Sequence, residues 1–156
     1  MTFRRPRSPR PLAGQSMVEF ALSSLVLLTM TFGIIEFGRA VYQRAALANA
    51  VREAGRYGAI SANLQTNPGG MVTRAASTSP TLGLAAADLT YACDRWVPPT
   101  VSPNAPGYWS ALPSCVDADP GDSLRVQLTH TFGFTAPRLI GLSSINMTDS
   151  VRVTIQ

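Results

Sequence analysis

Glu19 is a single carboxylate at the start of a long apolar run, a position where a charged side chain is unfavourable and its presence calls for a chemical explanation. It stands between an arginine-rich stretch and residues 20–35, which carry no charge. A charged side chain costs on the order of 2.5–3.5 kcal/mol at the centre of a membrane helix on insertion scales. Gly14 lies five residues before Glu19, and a glycine lets a protease approach the backbone closely because it has no side chain. The pattern indicates cleavage after Gly14, with Gln15 as the new N-terminus.

The charge of the chain is distributed unevenly. All 13 basic residues are arginines, and four of them (Arg4, Arg5, Arg7 and Arg10) lie within residues 1–14. From Gln15 onward nine arginines balance nine acidic residues, so this part is formally neutral although the whole chain has a charge of +4. The basic excess is therefore a topology signal and does not indicate a nucleic-acid partner. Basic residues beside an apolar segment stay on the cytoplasmic side, so we expect residues 1–14 in the cytoplasm and everything after the helix outside it.

The apolar run has the length of a membrane anchor only together with its flanks. Residues 20–35 would span about 24 Å as a helix, less than the ~30 Å of a hydrocarbon core. Met17, Val18, Phe37 and the two flanking glutamates extend it to spanning length. A cleavable secretory signal is the alternative, but its small-x-small site would have to be Ala48-Asn49-Ala50, which lies too far downstream. We expect a lipid-embedded helix over residues 15–38.

The helical pattern continues beyond the membrane segment. Residues 39–57 are rich in alanine, arginine and leucine, which favour helix. A narrow stripe of mostly small residues is typical of a face that packs closely; it consists of Ala40, Leu47, Val51, Ala54 and Gly58. We therefore predict one helix of about 60 Å from about Met17 to Tyr57, with residues 39–60 as its extracytoplasmic extension.

Residues 61–156 are expected to form a small extracytoplasmic domain of the α+β class. Two segments alternate apolar and polar residues, from Leu124 to Phe132 and from Ile145 to Ile155, and residues 89–96 have strand character. Residues 71–76 suit a short helix, and the proline-rich residues 97–113 suit a loop. We predict a three-stranded antiparallel sheet that is covered by the helical extension, because such a sheet must bury its apolar face.

The two cysteines bracket the proline-rich loop. Outside the cytoplasm Cys93 and Cys115 are expected to form a disulfide, and closing 22 residues would contribute roughly 3 kcal/mol in the chain-entropy model. Two free thiols in a short core are the alternative. A second close pair, Glu36 and Arg39, is spaced i,i+3 at the outer end of the apolar run. We expect a local ion pair there, worth under about 1 kcal/mol if exposed, with contact to a partner subunit as the alternative.

Catalytic and metal-binding patterns are weak in this chain. The single histidine, His130, continues the apolar register of a strand, which is typical of a packed histidine. One histidine and two cysteines do not give a zinc site of usual spacing. Asp117, Asp119 and Asp122 suggest a solvated acidic turn, since a calcium loop would require a glutamate near position 128, which is Leu128. We expect no enzyme activity, metal or cofactor.

The N-terminal part of the chain nevertheless resembles a known family. Residues 13–58 resemble the N-terminal region of TadE-like proteins, pseudopilins of the tight-adherence (Flp-type) pilus machinery. The resemblance rests on four segments, namely Gly14-Gln15, Val18-Glu19-Phe20-Ala21, Glu36-Phe37-Gly38-Arg39-Ala40 and Arg52-Glu53-Ala54-Gly55-Arg56-Tyr57. Phe20 is a departure, because the Flp-type site often has tyrosine there. The family implies a pilin-like fold and a prepilin peptidase that cuts between Gly14 and Gln15 in the bacterial inner membrane.

This resemblance gives Glu19 a specific role. After cleavage Gln15 carries a free ammonium, and Glu19 of one subunit would pair with the ammonium of its neighbour and set the axial register. Otherwise Glu19 extends to the membrane surface. The expected function is assembly of an adhesive Flp-type pilus or its secretion machine. The partners would be prepilin peptidase, other pilin or pseudopilin subunits, inner-membrane assembly proteins and lipid. The alternative is a membrane-tethered or secreted envelope adhesin or binding domain without a pilus role.

Overall fold

A computed structural model describes residues 14–99, 106–135, 141 and 143–156, without the side chains of Ser61 and Ala62. The leader expected over residues 1–14 therefore lies outside the described residues, except for Gly14. The helices and strands in chain order are α1 (Gln15–Gly58), α2 (Ser61–Thr66), α3 (Gly70–Thr78), β1 (Leu89–Val97), β2 (Tyr108–Ala111), β3 (Ser123–Gly133) and β4 (Ser144–Thr154).

Helix α1 is uninterrupted for 44 residues, or about 66 Å at 1.5 Å per residue. Between Glu19 and Glu36 it carries only uncharged residues, and its most apolar 18-residue stretch is not buried against the rest of the protein. Its second half buries Leu47, Val51, Ala54 and Gly58 of the predicted stripe, together with Ala50 and Gly55, whereas Ala40 of that stripe is only half-buried. The prediction of one long helix with an exposed apolar half and a packed upper half is confirmed.

The sheet is antiparallel and has the strand order β2-β1-β3-β4. In β3 the even-numbered residues from Leu124 to Phe132 face α1, and the odd-numbered residues face solvent. Leu124 pairs with Cys93 of β1 and with Val153 of β4, so the inner face continues across three strands. The predicted α+β class is confirmed, with a helical layer on one face of an antiparallel sheet.

The fourth strand is the main difference from the sequence prediction. Residues 108–111 were expected within a loop, but they form β2, whose Trp109 pairs with Trp96 of β1. The prolines around Tyr108–Ala111 dominated the prediction, although Pro also occurs beside edge strands, where no ladder hydrogen bond is lost. Tyr108 and Trp109 are aromatic residues that favour strands, and they are the signal that the prediction gave too little weight.

Close backbone approach joins the two layers at the upper end of α1. A Cβ on Gly58 would lie 2.5 Å from Cδ2 of Leu124 and 2.7 Å from Sδ of Met71. A Cβ on Gly55 would lie 2.7 Å from Cγ1 of Val151 in β4. Glycine at these two positions therefore sets how closely α1 lies on the sheet. The C-terminus closes this end, because Gln156 N–H donates to the Ala59 carbonyl at 2.7 Å.

Candidate functional site

The start of α1 brings together the residues expected to take part in processing. Helix α1 begins at Gln15, directly after Gly14, and the Val18 N–H donates to the Gly14 carbonyl at 3.3 Å. Gln15 and Glu19 are one turn apart and line one shallow groove with Val18 and Leu22. The groove is exposed in the isolated chain. A neighbouring helix could reach both Gln15 and Glu19 from the same side.

Among the described residues, nothing around Gly14 excludes a larger residue at this position. Its φ of −88° is ordinary for any amino acid. A Cβ added at Gly14 would meet no atom within 4 Å among the described residues. The fold therefore does not explain why glycine stands at this position.

The apolar half of α1 is a lipid-facing surface by its chemistry. The side chains of Phe20, Leu27, Ile34 and Phe37 are between 67% and 74% exposed, which is costly in water at ~25 cal/mol per Å² of apolar surface. Thr29 and Thr31 donate their hydroxyls to carbonyls one turn earlier, at 2.7 and 2.8 Å. These hydroxyls thus have acceptors within the helix, as a membrane segment requires.

At the outer end of this half, Glu36 is buried by the sheet. It is 6% exposed, and its carboxylate accepts from the Arg39 guanidinium at 2.5 Å and from the backbone N–H of Thr135. Thr135 lies just beyond β3 and also accepts from Arg39 through its hydroxyl, at 2.7 Å. The i,i+3 spacing of Glu36 and Arg39 indicated only a local pair. No pattern in the sequence predicted that Thr135, 99 residues from Glu36, would donate to it.

Aromatic side chains extend this junction between helix and sheet. The Arg39 guanidinium lies 5.4 Å from the centre of the Phe132 ring, within the range of a cation–π contact. Phe134 packs edge-on against Phe132, with ring centres 5.0 Å apart. Glu36 and Arg39 are therefore held against the end of β3 by hydrogen bonds to Thr135 and by the aromatic ring of Phe132.

A second charged cluster lies at the opposite end of the domain. Arg95 of β1 donates to Asp122 through Nε at 3.1 Å and through Nη2 at 2.8 Å, and to Asp119 at 2.8 Å. The hydrogen bond from Arg95 lowers the pKa of the Asp122 carboxyl. The carboxylates of the acidic turn thus meet a guanidinium, and no cluster of three potential metal-ligating side chains occurs in the described part of the chain. Sequence reasoning missed Arg95, whose strand position carried no signal for this contact.

The cysteines lie beside this cluster. Cys93 and Cys115 are joined by a disulfide with a Cα–Cα distance of 5.3 Å. Both are buried, and the bridge ties β1 to the segment that precedes the acidic turn. Lower on the sheet, His130 Nε2 lies 3.1 Å from Oε1 of Gln43, so this histidine contacts α1 and a neutral amide.

The outer face of the sheet carries an aromatic pair that was not singled out from the sequence. Trp96 and Trp109 are 45% and 43% exposed, and their ring centres are 5.3 Å apart. The Arg152 guanidinium lies 5.7 Å from the Trp109 ring and donates to Asp94 at 3.2 Å. The strand pairing of β1 with β2 creates this pair, so it depends on the strand that the sequence prediction missed.

The comparison with known proteins agrees with the geometry of α1. Residues 14–56 match the family model of TadE-like proteins, a range that contains the helix start, the apolar half and the Glu36–Arg39 pair. No curated protein and no solved structure gives a significant match. TadE-like proteins are structural components of the tight-adherence pilus system. The resemblance seen in the sequence is thereby confirmed for this part of the chain: residues 14–56 form a TadE-like domain, and they contain an apolar helix segment long enough to anchor the protein in a membrane.

Proposed function

We propose that the protein is a TadE-like pseudopilin that acts in the assembly of an adhesive Flp-type pilus or of its secretion machine. The observation that carries the proposal is the geometry at the start of α1. The helix begins immediately after Gly14, and it carries Glu19 one turn after Gln15 on an exposed apolar surface. A subunit with this geometry is suited to pack its N-terminal helix against those of other subunits.

Processing by a prepilin peptidase is the first step of this function. The scissile bond is Gly14–Gln15. Its cleavage removes one hydrogen bond at the start of the helix, from the Val18 N–H to the Gly14 carbonyl. Cleavage leaves an ammonium at Gln15 beside Glu19. In an assembly of helices, Glu19 of one subunit accepts from the Gln15 ammonium of its neighbour, which offsets the desolvation of both charges.

The proposed topology is a single pass through the bacterial inner membrane, with the N-terminus in the cytoplasm and the sheet outside. The four arginines before Gly14 support this orientation by the positive-inside rule. The Cys93–Cys115 disulfide supports it independently, because disulfides persist outside the reducing cytoplasm. The partners are prepilin peptidase, other pilin or pseudopilin subunits and inner-membrane pilus assembly proteins.

The decisive experiment is intact-mass and N-terminal analysis of the protein from its native membranes, with and without the peptidase. A peptidase-dependent N-terminus at Gln15 supports the proposal, whereas a retained leader refutes processing. Glu19→Ala and Glu19→Gln should both be cleaved, and both should reduce assembly, because neither can form an ion pair with Gln15. Normal assembly with either variant would leave Glu19 as a residue that only extends to the membrane surface.

The exposed tryptophan pair favours a second candidate, a membrane-tethered envelope-binding domain. Trp96 and Trp109 beside Arg152 offer flat aromatic surface and hydrogen-bond donors, which suit stacking on sugars or on extended chains. A W96A/W109A double variant separates the two functions. Pilus formation that persists while attachment to the cell envelope is lost would favour the binding domain.

A further inference from the structure

Strand β3 runs down α1 toward the membrane over its whole length. The two elements touch in antiparallel order, with Leu124 at Gly58, His130 at Gln43 and Thr135 at Glu36. The eleven residue-to-residue steps of extended chain from Leu124 to Thr135 span about 36 Å. The 22 residue-to-residue steps of α1 from Gly58 to Glu36 span about 33 Å. Because the two lengths agree, the strand axis lies nearly along the helix axis.

This register brings the lower end of the sheet to the level where the apolar half of α1 ends. Thr135 contacts Glu36, and Glu36 directly precedes Phe37, which is 72% exposed. On β4, Ile145 pairs with Phe132 and is 44% exposed, although its register points it to the inner face. At the upper end, the corresponding inner-face residue Ile155 is 1% exposed. The β4 side of the inner face is therefore covered by protein at the top and exposed at the bottom, where Phe132 of β3 is still buried.

We propose that the lower end of the sheet rests in the interfacial layer of the bilayer that α1 crosses, through Ile145 of β4 and through Phe134 and Thr135 just beyond β3. The inference depends on the proposed function in one respect, that α1 spans a membrane. The occupant of this exposed lower end is lipid, because Ile145 is exposed near the level of Glu36, where the exposed apolar residues Ile34 and Phe37 also lie. Only a layer of lipid headgroups and upper acyl chains adjoins both surfaces at this level.

The charges at this level suit such contact. The carboxylate of Glu36 is bound by Arg39 and Thr135, so it is compensated before it meets lipid. The Arg39 side chain is 42% exposed, which leaves it within reach of lipid phosphates although its guanidinium also donates to Glu36 and Thr135. The aromatic ring of Tyr42, 61% exposed one turn above Gly38, fits the position that tyrosine favours at membrane interfaces.

Site-directed fluorescence tests the proposal in the full chain. Because Cys93 and Cys115 are disulfide-bonded and no free cysteine occurs in the described residues, an introduced cysteine can be labelled alone with bimane. I145C would be placed in phosphatidylcholine vesicles with and without brominated acyl chains. We expect brominated lipid to quench I145C at least twofold more than T154C, which lies nine residues, or about 30 Å, higher on β4. S144C, at an exposed neighbouring position, provides a second probe if I145C folds poorly.

A third probe separates failure of this inference from failure of the membrane anchor. I34C lies in the apolar half of α1 and must be quenched if that half spans the bilayer. Quenching of I34C without quenching of I145C and S144C would overturn the lipid contact and leave the anchor intact. Absence of quenching at I34C would overturn both. A third outcome would also overturn the proposal. If neither brominated lipid nor aqueous iodide quenched I145C, and this protection appeared only at a high protein-to-lipid ratio, a second copy of the protein would cover this face.

Discussion

Arg39 and Thr135 lie 96 residues apart in sequence, yet Nη1 of Arg39 donates to Oγ1 of Thr135 at 2.7 Å. The contact joins the outer end of the membrane segment to the residue that follows β3. Glu36 binds both partners and is buried between them. The domain is therefore fixed to its anchor at two levels, at this junction and at the glycines near the upper end of α1.

The two i,i+3 ion pairs of α1 are expected to differ in their effect on stability. Glu36→Ala removes the acceptor of the Thr135 N–H and of Arg39 and should lower the free energy of unfolding by about 2 kcal/mol. Glu53→Ala removes an exposed pair with an Arg56–Glu53 distance of 3.6 Å and should cost under about 1 kcal/mol. Chemical denaturation in detergent micelles measures both. Equal losses would show that the contact with Thr135 adds no stability.

Gly58 and Gly38 are expected to respond to alanine in opposite directions. A Cβ at Gly58 would collide with Leu124 and Met71, so Gly58→Ala should destabilise the domain by about 1–3 kcal/mol through overpacking. A Cβ at Gly38 would meet nothing within 4 Å among the described residues, so Gly38→Ala should stabilise the helix by about 0.5–1 kcal/mol. Thermal unfolding of the two variants side by side makes the comparison. A stabilising Gly58→Ala would contradict the close packing.

Loss of the disulfide should destabilise the upper end of the domain. The Cys93–Cys115 bridge closes 22 residues, for which the chain-entropy model gives roughly 3 kcal/mol. A Cys93→Ala/Cys115→Ala double variant is expected to unfold at lower denaturant concentration than the oxidised protein, and reduction of the wild type should match it. Unchanged unfolding after complete reduction would argue against a stabilising role.

The Arg95–Asp122 pair predicts a defined acid sensitivity. The pKa of Asp122 is lowered below 3.8, chiefly by the hydrogen bond from Arg95. Its contribution is complete above the unfolded-state pKa of 3.8 and is lost as the pH falls through the lower folded-state pKa. Tm should therefore fall below about pH 4. Asp122→Asn should have a lower Tm at neutral pH and a smaller acid-induced drop.

Asp117→Asn is the matched control for this titration. Asp117 lies in the same acidic turn and accepts from Arg95 through its backbone carbonyl, at 3.0 Å, a contact that asparagine would keep. We expect its pH profile to follow the wild type. If Asp117→Asn flattened the profile as much as Asp122→Asn, the acid sensitivity would belong to the turn as a whole.

Replacing Gly14 tests recognition by the peptidase without disturbing the fold. Gly14→Leu places a side chain where no described atom lies within 4 Å of the new Cβ. Membrane insertion should be unchanged, while cleavage should fall at least tenfold because the side chain blocks approach to the backbone. Mass analysis of the membrane-bound protein measures the cleaved fraction. Wild-type processing of Gly14→Leu would rule out this cleavage site.

Periodic patterns in the sequence predicted most of the fold. Contacts between residues distant in sequence could not be predicted in this way. The stripe of Leu47, Val51 and Ala54 could be predicted because every member repeats at helical spacing. The alternation in β3 and β4 could be predicted for the same reason with a period of two. The Thr135 N–H and Arg95 have no such pattern, because their roles depend on which chain segments the fold places beside Glu36 and Asp122. Strand β2 was not predicted because the prolines around it indicated a loop.

The continuity of α1 has a mechanical consequence. From Gln15 to Gly58 the helix has no break, and Arg39 is clasped to the end of β3 at the boundary between its two halves. The connection between the membrane half of α1 and the sheet domain therefore contains no hinge. A force that moves the membrane half along the helix axis must therefore move the sheet by the same distance.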